Sequence, residues 1–295
     1  MSTIPVTVLM LTLNEEHNLP GALQNVAPWA AEVFVVDSLS TDRTVDIALE
    51  HGAQVVQRPF TNFGDQWNFA LSLPISTPWT LKLDPDERLT PELVEEIRAL
   101  VEGEGEIAGY SMRRRLWFMG EPLHVMAPVV RLWRTGKCEF SPDLVNEHPI
   151  VDGEVGSLAG VLEHLDSPDL HHWYEKQNRY STMEAIMMAK RATPSTRSGL
   201  LGNCLERRAL LKRLFFKVPF RYQIVWLHCM FAKGAWRDGT AGRAWSHLRQ
   251  EVYRSRALKL REIETTGRVP QIPRASPGEF DSRVIGSALQ LEMSP

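Results

Sequence analysis

The first hundred residues alternate between two hydrophobic periods. Ile4–Asn14 (IPVTVLMLTLN) is an apolar run that breaks at Asn14, and Glu15–Ala27 then repeats its apolar positions at helical spacing. Glu32–Ser38 (EVFVVDS) is nearly continuous in apolar residues, as expected of a strand covered on both faces. The segment 40–52 opens on a cap-like Ser40 or Thr41 and closes at Gly52, so it predicts a second helix. Residues 53–60 predict a third strand, 62–74 a third helix and 79–84 (WTLKLD) a fourth strand. The helix after it has Thr90 as N-cap and Pro91 in its first turn. Strand–helix alternation of this kind predicts a mostly parallel, doubly wound α/β sheet.

The pattern changes beyond Gly109. Residues 109–123 and 125–140 read as strands, antiparallel additions at the sheet edge. After His164 the chain turns helical, with Ser167 as cap and Pro168 just inside. These shifts predict three parts: an α/β domain over 1–165, a helical region over 166–267, and a Pro-rich flexible tail over 268–295.

Composition bears on compartment and partners. With 43% hydrophobic residues in 295, the chain can bury a large core. Cys138, Cys204 and Cys229 lie far apart with no C-x-x-C pair, which suits a reducing cytoplasm. The opening residues lack the basic start of a signal peptide, and the apolar run Tyr222–Ala232 is too short to cross a bilayer. Charge is unevenly spread: Arg197–Glu262 holds fifteen Lys/Arg against Glu206, Asp238, Glu251 and Glu262. Arg207, Arg208, Lys212, Arg213, Lys217 and Arg221 interleave there with Leu, Phe and Trp, a mixture suited to an anionic membrane surface or to a packed helix with a solvated basic face. No nucleic-acid module is recognisable and the formal net charge is −3, so nucleic acid is not an expected partner.

Candidate chemistry gathers where ligands bind in open α/β sheets, at the carboxyl ends of the strands. The first strand ends in Asn14-Glu15, the second in Asp37-Ser38 and the fourth in Asp84-Pro85-Asp86. Asp37 also suits a helix cap. Asp84 and Asp86, one residue apart in a proline turn, are either solvated turn acids or a grip on one hard cation. No G-x-G-x-x-G follows any strand, which argues against a dinucleotide loop. Alternation puts Arg131 and Arg134 on opposite strand faces, so at most one of them reaches the rim. His164 ends a strand-like run, either as a ligand contact or as a structural histidine. The pair His171-His172 has no third ligand at metal spacing.

The motifs TLNEEHNL, VVDSLSTDRT, NFGDQWNFAL and LKLDPDERLTPEL, in that order and spacing, resemble the family 2 glycosyltransferases. Within that family they are most similar to bacterial lipopolysaccharide-core and related glucosyltransferases. The resemblance spans residues 5 to 165 and implies a GT-A fold using a UDP-sugar and a divalent cation, Mg²⁺ or Mn²⁺. By position, Leu13 and Glu15 would line the uridine site and Asp37 would bond the uracil ring. Asp84 would lie near ribose and metal, Asp86 would hold the metal, and Gln66 and Asn68 would approach the nucleotide sugar. Arg131 or His164 would meet the diphosphate. Glu147, after the edge strands and between Asn146 and His148, would be the base of an inverting transfer, with Asp143 second. Three positions depart from the pattern: Leu39 stands where glycine is common, Trp67 where a basic residue is common, and Pro85 where alanine is common. The implied acceptor is a saccharide carried on a lipid, and the implied place is the cytoplasmic face of the inner membrane. The alternatives are the same fold with another nucleotide-sugar, or a non-catalytic nucleotide-sugar-binding or membrane-scaffolding protein.

Overall fold

The computed structural model describes residues 3–103, 105–141, 148–189 and 218–271. They divide into two units, one drawn from residues up to 122 and 126–168, the other from 123–125 and from 169 onward.

The first unit is built on an eight-stranded sheet in the order β3-β2-β1-β4-β7-β6-β10-β5. β1 (Ile4–Thr12) lies parallel to β2 (Ala30–Asp37) and to β4 (Trp79–Lys82), while β3 (Gln54–Gln57) joins β2 in parallel. β1 alternates its side chains between two cores. Val6, Val8 and Met10 pack with helices α1 (Leu19–Val26), α2 (Thr44–Glu50) and α4 (Pro91–Val101). Leu9 and Leu11 pack with Trp67 and Ala70 of α3 (Phe63–Leu71) and with Trp133 and Phe140. A period-2 strand buried on both sides therefore reads as unbroken hydrophobicity, as the sequence indicates.

Beyond β4 the sheet becomes mixed. β7 (Glu121–Arg134) pairs antiparallel with β4 and with β6 (Gly109–Phe118), and β10 (Val155–His164) runs parallel to β6. The three-residue β5 (Glu87–Leu89) lies antiparallel on β10, matching Glu87 with His164. β4 and β5 are thus neighbours in sequence but stand apart in the sheet, so residues 83–86 must cross its rim. β8 (Cys138–Phe140) and β9 (Pro149–Val151) form a separate ribbon.

Helix starts follow local hydrogen bonding. α4 begins as expected, with Thr90 accepting from the Leu93 N–H. α2 begins later than expected, with Arg43 in the N-cap position, and neither Ser40 nor Thr41 caps it. Asp42, just before it, ties the helix entry to the loop after β1, accepting from the Thr44 N–H at 3.0 Å and the Glu16 N–H at 3.1 Å. Ser167 likewise yields to Asp169, which accepts from His172 N–H at 2.8 Å at the start of α5 (Leu170–Ala189).

In the second unit α5 and α7 (Gly239–Thr266) lie side by side. Ala185, Ile186 and Ile263 form their apolar contact, Arg256 bonds Glu184 at 2.9 Å, and Lys259 donates to Asn178, Ser181 and Thr182. Between them in sequence come α6 (Arg221–Leu227), a π-helical turn over His228–Ala232 and a 3₁₀ turn over Ala235–Asp238.

Candidate active site

The ends of β1 and β2 are tied into one rim. Asn14 and Leu39 both hold left-handed backbone, φ 54° and 64°. The Asn14 N–H donates to Ser40 Oγ at 2.8 Å, and the Thr41 N–H returns to Asn14 Oδ1 at 2.9 Å. Asp37 lies wholly buried beneath, with four donors on its two oxygens: Thr12 Oγ1, the Ser40 N–H and hydroxyl, and Gln57 Nε2. It anchors the loop after β2. Glu15 accepts from Asn18 Nδ2 at 2.9 Å, and its N–H donates to Thr44 Oγ1. Leu13, 6% exposed, closes the floor behind them.

Helix α3 brings Gln66 under this rim. Its Nε2 donates to Ser38 Oγ at 3.1 Å, but its buried Oε1 has no partner among the described residues. A buried acceptor left open costs free energy unless a ligand or water fills it. Asn68 is committed elsewhere: its amide accepts from the Phe140 N–H at 2.8 Å and donates to the Phe140 carbonyl at 3.1 Å, fixing β8.

The acidic turn separates three carboxylates into different duties. Glu87 is fully buried and accepts from Arg131 Nη2 at 2.6 Å, Arg114 Nη1 at 3.3 Å and the Asp84 N–H at 3.1 Å. It is the structural acid of the group. Arg131, 6% exposed, also donates to Asp84 Oδ2 at 2.7 Å. Burial alone would lower the guanidinium's proton affinity; Asp84 and Glu87 reverse this and raise it, so the cation is permanent. Burial would likewise push the Asp84 carboxyl up, but Arg131 and Lys82 hold it below its ordinary value. Asp84 is an ionised acid already engaged by Arg131, with Lys82 Nζ at 3.9 Å. That same ammonium lies 4.2 Å above the Trp67 ring. Where α3 carries tryptophan instead of a basic residue, β4 supplies the charge.

Asp86 points to a different set. Its Oδ2 lies 3.3 Å from His164 Nε2, which stands 3.8 Å from Asp166 Oδ1. The three candidate ligand atoms all lie within 4.8 Å of one another, and each side chain is partly exposed. The Leu165 N–H donates to the Asp86 carbonyl at 2.8 Å and locks the end of β10 to the turn. Two carboxylates and an imidazole suit a hard or borderline divalent cation with positions left for phosphate oxygens. The residues therefore fit a resident Mg²⁺ or Mn²⁺. Asp166 escaped the sequence reading, although His164-x-Asp166 repeats the i, i+2 spacing of Asp84-x-Asp86.

Arg134 turns away, as alternation requires: it donates to the Ile107 and Gly105 carbonyls and stacks on Trp79. Arg221 is placed against Tyr222, with its guanidinium bonded to the phenol oxygen at 2.9 Å. Asp143, Glu147 and the basic positions Arg207, Arg208, Lys212, Arg213 and Lys217 lie outside the described residues.

Residues 7–143 match the family described as Glycosyl transferase family 2. The chain is 28% identical over 250 residues to a lipopolysaccharide core biosynthesis glycosyltransferase of Rhizobium meliloti, covering 81% of this chain and 85% of that protein. It is 41% identical over 203 residues to an uncharacterized glycosyltransferase of Rickettsia conorii, covering 64% and 72%. A mannosyltransferase of Pyrobaculum calidifontis, solved in complex with GDP-Man and Mn²⁺, aligns with a TM-score of 0.54 at 13% identity over 88% of this chain and 87% of that one. That likeness is one of fold, and the fold is GT-A.

Proposed function

The chain belongs to glycosyl transferase family 2, and from that premise we propose an inverting, metal-dependent hexosyltransferase. In this reading it moves glucose from a UDP-sugar to a saccharide acceptor carried on a lipid, in lipopolysaccharide core or a related cell-surface glycan. The observation that carries it is the Asp86–His164–Asp166 cluster on the rim shared with Asp84. The acceptor class is supported by the name of the Rhizobium relative.

Asp86, His164 and Asp166 would hold the cation, which when bound neutralises charge on the departing diphosphate. Glu15 and the open Gln66 Oε1 offer polar contacts for the nucleotide, while Leu13 offers an apolar wall. Asp84, kept ionised by Arg131, is an acceptor for ribose hydroxyls. Buried as it is in its own ion pairs, Arg131 acts on the donor through Asp84. Glu147 takes the proton of the acceptor hydroxyl as that oxygen bonds the anomeric carbon. The bond to the diphosphate breaks on the opposite side, and UDP leaves with both electrons.

The test is donor hydrolysis and transfer with UDP-sugars and GDP-mannose, with and without Mn²⁺. Native protein is expected to turn over a UDP-hexose only with the metal. Asp86→Ala should lose metal-dependent donor binding, whereas Glu147→Gln should bind donor normally and cease transfer. Unchanged Mn²⁺ dependence in Asp86→Ala overturns the reading, and preference for GDP-mannose overturns its choice of nucleotide.

A further inference from the structure

The second unit turns a row of large apolar side chains to solvent. Phe220, Ile224, Leu227 and Phe231 are all exposed, Phe220 by 77% and Phe231 by 62%. Their spacing, i, i+4, i+7 and i+11, defines one stripe along α6 and the π-helical turn. Trp236, 55% exposed, follows in the 3₁₀ turn. Among the described residues fifteen large hydrophobics are exposed, and six of them fall within 218–236, so the exposure is concentrated rather than scattered.

Loose packing does not explain it. The opposite side of the same segment buries Val225, Cys229 and Met230. The segment therefore has an inner face for its own unit and a second apolar face outward. Phe220 holds left-handed backbone, φ 56°, a conformation an ordinary L-residue rarely adopts. Strain of this kind clusters at functional positions.

Charge selects the occupant. Between Val218 and Arg243 stand Arg221, Lys233, Arg237 and Arg243 against the single carboxylate Asp238. Asp238 is already engaged, accepting from the His124 N–H at 2.9 Å. The Arg237 guanidinium lies 5.3 Å from the Trp236 ring, an apolar body with a cation beside it. A second copy seated on this face would set cations against cations about a two-fold axis. The stripe is about 16 Å long at 1.5 Å per residue, half of a hydrocarbon core. Among the described residues no helix is long and apolar enough to cross a membrane.

We propose that this stripe seats in the headgroup–acyl boundary of an anionic phospholipid leaflet, with α6 lying in the membrane plane. No residue of the stripe belongs to the candidate donor site, so the proposal stands or falls without the metal or nucleotide assignment. It is tested on the full chain by co-sedimentation with vesicles of phosphatidylcholine alone or mixed with phosphatidylglycerol. Native protein is expected to pellet with the anionic vesicles and to be released by salt. Leu227→Gln combined with Phe231→Gln should lower that partitioning by about tenfold or more, while thermal unfolding and donor hydrolysis stay as in the native protein. Arg237→Gln combined with Arg243→Gln should weaken binding to anionic vesicles and leave the weak binding to neutral ones unchanged. Native protein that stays in the supernatant with both vesicles overturns the proposal. So does a double variant that binds like native protein, or native dimers in light scattering that the double variant converts to monomers.

Discussion

Arg131 is the residue on which the acidic turn depends electrostatically. Its guanidinium compensates Glu87, which is fully buried, and Asp84, which carries the turn backbone. Arg131→Met keeps most of the volume but leaves buried Glu87 with Arg114 alone, and Asp84 with Lys82 at 3.9 Å. Loss of one partner from such a buried set costs about 3–5 kcal/mol. Urea unfolding of this variant is therefore expected to show a free energy of unfolding lowered by that amount, read as a lower midpoint at an unchanged slope. Leu39 works in the other direction. It holds φ 64° while its side chain is half exposed, so little packing holds it there. Leu39→Gly removes about 1–2 kcal/mol of backbone strain and adds about 0.5–1 kcal/mol of chain entropy, so a net gain of about 0.5–1 kcal/mol is expected in the same experiment. Leu39 departs from the motif it stands in, but its backbone angle is a property of the folded turn and has no periodicity to read.

At the scale of elements, the strands and helices of the first hundred residues follow the hydrophobic periods, because each long run buries a defined face. β5 has no such signal: Glu87-Arg88-Leu89 is too short to show alternation, and its partner β10 lies seventy-odd residues away. The same gap hid Asp166, since nothing local says that the end of β10 folds onto the turn after β4. Asp42 shows how a helix entry is tied down by a side chain slightly downstream of the obvious candidates. Burial would push its carboxyl up, but the hydrogen bonds from Thr44 and Glu16 outweigh that and hold it below its ordinary value. A carboxyl with a lowered folded pKa contributes stability that is complete above the unfolded value and lost as pH falls through the folded one. Stability of Asp42→Asn is accordingly expected to fall less steeply than that of native protein as pH drops below about 4, measured by urea titration at fixed pH values. The α4–β10 contact gives a steric counterpart. A Cβ on Gly160 would lie 2.7 Å from Leu93 Cα, backbone that cannot step aside. Gly160→Ala is expected to cost about 1–3 kcal/mol of the kind seen in overpacked cores.

At the scale of the molecule, the candidate cation site joins two stretches of chain that lie far apart in sequence and meet at one edge of the sheet. Asp86 comes from the crossing turn and His164 and Asp166 from the far end of β10. An unfolded chain cannot hold these ligands together, so binding energy is transmitted to folding. Mn²⁺ at about a hundred times its dissociation constant is expected to add about 2.7 kcal/mol to the transition that melts the sheet. The α5–α7 pair contributes no ligand to this cluster. If the two units unfold as separate cooperative blocks, scanning calorimetry will show two transitions, of which the metal moves only one. Asp86→Ala and Asp166→Asn should each reduce the shift, the first abolishing it, because alanine removes a candidate ligand oxygen outright whereas asparagine at 166 keeps a neutral one; the main-chain bond from the Leu165 N–H to the residue 86 carbonyl is untouched by either change. Equal stabilisation of both transitions, or a shift that persists without Asp86, would place the cation elsewhere in the protein.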